Sequence, residues 1–323
     1  GGQSITIGTM DIDSGTVIYD GAGTTIEDDM SGYYDLELSG SGTWLTVDGQ
    51  ALDINQDLLI SASNELDIQD EALDLTGSLS NLGTLRLEGG QTVAIGTMDI
   101  DSGTVIYDGT GTTIKADMTG YYDLQLSGTG TWLTVDGQAL DINQDLLISA
   151  SNELDIQNES MDLTGTLSNL GTLRLEGGQA ITIGTMDADS GIVIYDGAGT
   201  TIEDDMSGYY DLQLSGSGTW LTVDGQALDI NQDLTISTSN ELDIQDEALD
   251  LTGTLSNEGT LRLEGGQSIT IGTMDIDSGT VIYDGAGAII EDDMSGYYDL
   301  QLSGSGTWLT VDGQGLDINQ DLL

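Results

Sequence analysis

The sequence is written in one 88-residue unit, and no other feature constrains the fold as strongly. The tripeptide Gly-Gly-Gln begins at Gly1, Gly89, Gly177 and Gly265. It divides the chain into copies 1–88, 89–176, 177–264 and an incomplete 265–323. No proline, spacer or change of composition separates the copies. The pattern therefore predicts one continuous array over 1–323, not domains joined by linkers.

Each copy breaks at Gly, Asn, Asp and Ser into short segments. Within them apolar residues stand two apart: Leu36 and Leu38, Leu45 and Val47, Leu52 and Ile54, Leu66 and Ile68, Leu85 and Leu87. That is the strand period, and no segment carries a helical stripe. The period is too long for a single solenoid turn. Three short strands to a coil give about 22 residues per coil and about four coils per copy. The expected fold is all-β, a parallel β-helix (β-solenoid) with right-handed winding. With coils about 4.8 Å apart, one copy would rise roughly 19 Å and the whole chain roughly 70 Å. A string of small sandwiches is the rival, disfavoured by the seamless period and short strands.

Composition sets limits on function. The chain has 57 acidic and four basic residues among 323, a net charge of −53, and no His or Cys. Phosphate contacts need Lys and Arg, and only Arg86, Lys115, Arg174 and Arg262 exist, so nucleic acid is excluded as an ordinary partner. An anionic membrane surface is disfavoured likewise. No apolar run approaches the roughly 20 residues of a spanning helix, so no direct membrane insertion is expected in this segment. A hydrophobic fraction of 37% in regular alternation argues for a packed core rather than an acidic disordered tail. Gly1 opens directly on a repeat with no signal-peptide pattern, so an internal or processed piece is expected. Its open first and last coils would then continue into more protein or stack on another chain.

Without His or Cys, acyl transfer by a triad and histidine metal sites are excluded. A glycosidase needs two carboxylates at a fixed separation in a cleft; here the acids recur with the structural period, and the chain is expected not to be an enzyme. The recurring "MDIDSG" turns Asp11 and Asp13 outward, with copies Asp99–Asp101, Asp187–Asp189 and Asp275–Asp277. They read as a solvated acidic face, with calcium the one ligand to consider, because hard cations collect several oxygens from neighbouring coils. No cofactor is required. Arg86, Arg174 and Arg262 occupy equivalent places in "TLRLEGG" and read as local charge relief. Trp44, Trp132, Trp220 and Trp308 lie in "GTWLTVDG". If Leu45 and Val47 face inward, each Trp either faces outward, available to a sugar or a neighbouring rod, or lies partly buried at a corner, where it covers the seam. A flat threonine array for ice is disfavoured because acids interrupt it.

The segments "SGTVIYDGAGTTI", "YYDLELSGSGTWLTVDG", "LDINQDLLIS" and "LTGSLSNLGTLRLEGG" together resemble repeats of large secreted bacterial β-helix proteins, the filamentous-haemagglutinin-like and autotransporter-passenger-like adhesins. The resemblance runs over essentially the whole chain. It implies a cell-surface or extracellular location and a structural role as a stiff rod or filament in adhesion or assembly. The partners it implies are further copies, end to end or side by side, and polysaccharide or another cell surface. A carbohydrate-binding adhesin stalk is the alternative function.

Overall fold

A computed structural model describes residues 13–26, 32–46, 48–114, 118, 120–202, 206, 208–287, 289–290, 294, 296–310 and 315–323. Asp11, Val47 and Lys115 lie outside the described residues. Every regular element among those described is a strand, and every recorded pairing is parallel. The fold is a parallel β-solenoid, as the two-residue period predicts. The chain divides into two compact units, residues 1–155, 159–168 and 182–184, and residues 156–158, 169–181 and 185–323.

In the first unit one ladder of inward side chains runs Trp44, Leu66, Leu85, Val105, Leu124, Leu146. Between Trp44 and Leu66 the chain lays two more strands, Leu52–Ile54 and Leu58–Ile60, each on its own ladder. A coil thus has three sides. The second unit repeats the arrangement, with Trp220, Leu242, Leu261, Val281 and Leu300 in register. The inward Leu and Ile are almost wholly removed from water, and each contributes about 1.5–3 kcal/mol by burial.

The coil step is not constant. Along the Trp44 ladder partners are separated by 19 to 22 residues. Four steps lead from Trp44 to Leu124, and Trp132 lies one side further on, in the strand Gly130–Leu133 of a different ladder. Each copy therefore makes four coils and one third of a fifth. The expectation of about four coils stands, refined by that third. Trp44 and Trp132, both in the first unit, accordingly lie on different sides of the solenoid.

Glycine makes two of the corners possible. The long strand Leu73–Asn81 covers two sides of a coil, with its register shifting between Leu75 and Ser78. A Cβ at Gly77 would lie 1.9 Å from the Gln56 carbonyl oxygen, so no other residue fits the bend. At Gly40 a Cβ would lie 1.8 Å from the Gly21 oxygen, for the same reason.

Candidate functional site: the acidic outer face and its buried anchors

The inward and outward phases of "GTWLTVDG" are the reverse of the sequence expectation. Trp44, Trp132 and Trp220 are fully buried, at 0% exposure. Each donates its indole N–H to an asparagine one coil on: Asn64, Asn152 and Asn240, at 3.0–3.1 Å. Each also packs on a tyrosine, as in Tyr107–Trp132 with ring centroids 5.3 Å apart. Thr46 is the next inward residue, and its hydroxyl donates to the Ile68 carbonyl at 2.7 Å. The outward, glycan-facing reading of these three tryptophans is therefore corrected. Alternation was phased on Leu45, which is only half-buried, and a large indole satisfied by a buried amide fills the core better. Trp308 is half-buried and keeps the tyrosine contact, to Tyr283 at 5.5 Å.

The asparagines are residues that sequence reasoning passed over. Besides accepting from the indole, Asn64 donates to the carbonyls of Gly40 and Ser61 at 3.1 and 3.2 Å. It satisfies a corner where backbone leaves the ladder. The "SN" dipeptide at this corner of the three complete copies, whose serine stands at positive φ (69° at Ser63), was the available signal.

Outside, the acids lie in register. Asp53 pairs with Asp74, Asp141 with Asp162, and Asp229 with Asp250 on adjacent parallel strands. All six are exposed, and such strands lie about 4.8 Å apart. Burial pushes the carboxyls of Asp67, Asp123, Asp211 and Asp243 above the usual range, with neighbouring acids adding to it. Asp57 goes the other way, held down by the Ser78 hydroxyl and N–H donated to it at 2.7 and 3.0 Å.

The arginines sit where charge relief predicts. Arg86 meets both oxygens of Glu65 at 3.0 and 3.1 Å and reaches Asp108 at 2.9 Å on its other flank. Arg262 does the same between Glu241 and Asp284. Hydrogen bonding to the glutamates holds these guanidiniums above their ordinary value. Half-exposed forked pairs of this kind contribute on the order of 1 kcal/mol.

The calcium candidates are differently placed. Asp99, Asp187 and Asp275 each accept the N–H of the residue two on, at 3.0–3.1 Å, closing a small turn with Asp101, Asp189 and Asp277 at its exposed end. Asn143 fixes the first of these turns by donating to the Ile100 carbonyl at 2.9 Å. Asp13 is exposed. Among the described residues, acids gather in threes at Asp48–Asp70–Glu71 and Asp224–Asp246–Glu247, with carboxylate oxygens within 4.8 Å of one another. The middle copy has Asn158 in the place of Asp70. A surface pocket lined by Ile202, Met206, Tyr209, Val223 and Leu228 has a volume of about 20 Å³, room for one water. A pocket of the same size recurs at Ile114, Met118, Tyr121, Val135 and Leu140.

With this geometry in hand, comparison with known proteins identifies no relative: no family model, no curated protein and no solved structure matches the chain.

Proposed function

We propose that the chain is a section of a structural repeat array in an extracellular bacterial surface protein, a stiff rod or filament body that serves adhesion or assembly without turnover. One observation carries this reading. The strand Thr84–Leu87 of the first copy pairs in register with Thr104–Tyr107 of the second, and Arg86 reaches across the same boundary to Asp108. The boundary at Gly265 repeats this through Leu261–Val281 and Arg262–Asp284. A copy is thus completed by its neighbour, the property of a building element and not of a free-standing catalytic or binding domain. The sequence resemblance adds the surface location. The carbohydrate-binding alternative loses the aromatic platform on which it rested, because Trp44, Trp132 and Trp220 are internal.

Removal of residues 89–176 tests the structural reading. The shortened chain is expected to fold with one cooperative transition and to shorten by about 21 Å in solution scattering, the rise of four and a third coils. Loss of folding, or separate transitions for the flanking copies, would overturn it. Surface labelling of the source cells tests the location.

A further inference from the structure

Every copy holds two Asp–Gly bonds, at Asp20 and Asp48 in the first copy and at matching positions afterwards. Such bonds age chemically. The glycine nitrogen loses its proton and attacks the aspartate Cγ, and one carboxyl oxygen, once protonated, leaves as water. The cyclic imide then takes up water and reopens to aspartate or to isoaspartate, which routes the main chain through the side chain. Glycine permits this because no side chain shields its nitrogen. Two kinds of contact oppose it: one that occupies the glycine N–H, and one that holds the carboxylate in an ion pair so that it must break free before it can be protonated.

Both are present. Gly49, Gly137 and Gly225 stand at φ of 79°, 79° and 83° on exposed turns with open space around them. In each case the N–H is donated to a glutamate one coil on. Gly49 donates to Glu71, Gly137 to Glu159 at 2.7 Å and Gly225 to Glu247 at 2.6 Å. At the other Asp–Gly bond the carboxylate is held instead. Asp108, Asp196 and Asp284 meet Arg86, Arg174 and Arg262 at 2.9, 2.9 and 2.8 Å. Asp20 is exposed and has no such ion pair among the described residues.

We propose that Glu71, Glu159 and Glu247 are positioning residues that protect the Asp48, Asp136 and Asp224 Asp–Gly bonds from imide formation, while the arginines protect the first Asp–Gly bond of each later copy, at Asp108, Asp196 and Asp284. The glutamate occupies the attacking N–H from the neighbouring coil, so the protection exists only while the coils are stacked. This accounts for the glutamate's retention in the middle copy, where the residue before it changes to Asn158 and the residue after it to Ser160.

The test is accelerated ageing of the whole chain at neutral pH, with isoaspartate located by fragmentation mass spectrometry. In Glu159→Ala, Asp136 is expected to isomerise about tenfold faster, the effect of losing one hydrogen bond to a charged group. Asp48 and Asp224 in the same molecules serve as references. Glu159→Gln keeps the acceptor oxygen and is expected to restore protection. In the unaltered chain, Asp20 is expected to isomerise faster than Asp108, Asp196 and Asp284. This arm needs no variant, so it decides the arginine part even if a substitution loosens the fold. Equal rates at Asp136, Asp48 and Asp224 in Glu159→Ala would overturn the proposal. A fall at Asp136 would overturn it too, because the carboxylate would then be acting as a base that assists the attack.

Discussion

Trp44 and Asn64 are twenty residues apart in the chain and 3.1 Å apart in space, indole N–H to amide oxygen, with both side chains out of contact with water. The pair ties a strand to the corner of the next coil. Replacing Trp132 with Ala is therefore expected to cost about 3–5 kcal/mol of stability, read as a loss in denaturant midpoint. Glycan retention unrelated to folding would instead return the tryptophan to the surface. Asn152→Ala leaves the indole N–H buried and unpaired, at about 1–3 kcal/mol.

Left-handed backbone at a residue with a side chain is a second place to look. Ser63, Ser151 and Ser239 stand at φ of 69°, 69° and 73°. Ser151→Gly is expected to stabilise by up to about 1 kcal/mol, the relief of strain less the greater entropy of the unfolded glycine. Thermal melting checks it, and a lower melting temperature would show that the serine hydroxyl matters more than its backbone.

Acid should stabilise before it denatures. Asp67, Asp123, Asp211 and Asp243 have folded values raised above 3.8 by burial. Such groups disfavour the fold when ionised, so the penalty is present above their folded values and disappears as pH falls toward 3.8. Asp57 has the opposite sign. Its folded value lies below 3.8, so its contribution is present above 3.8 and is lost as pH falls through the lower value. The melting temperature is thus expected to rise from neutral pH to a maximum in the mildly acidic range and then to drop. A steady fall from neutrality would contradict this.

Like charges in register make stability depend on ions. Asp53 beside Asp74 and its two counterparts lie well inside the roughly 8 Å screening length of physiological salt. Added monovalent salt is expected to raise the melting temperature. Calcium at matched ionic strength is expected to raise it further, with chelator reversing the increment. Asp70→Asn and Asp246→Asn together, copying the middle repeat, should reduce the calcium increment if the triads at Asp48 and Asp224 are where it binds. An unchanged increment directs attention to Asp99–Asp101 and its copies, and none at all removes calcium from the account.

The strand period at Leu36–Leu38 or Leu85–Leu87 was legible in the sequence because one face of each strand is wholly internal, so the alternation is strict. The arginine pairs were legible for a related reason: an outward cation among so many acids has carboxylates on both flanks. The phase at Trp44 was not. Leu45 is apolar yet half-exposed, and Thr46 is polar yet buried through a bond to a main-chain oxygen, so hydropathy at that corner points the wrong way. The protective role of Glu71 was hidden too, since it depends on a coil step of 22 residues at that side of the solenoid and of fewer at another.

The extra third of a coil gives the number of copies a meaning beyond length. Near-identical copies invite unequal recombination, and gaining or losing one leaves every ladder intact. It nevertheless changes the side on which the next copy begins, as Trp44 and Trp132 on their different ladders show within the first unit. The number of copies thus sets an orientation as well as a length, without altering any residue of the repeat.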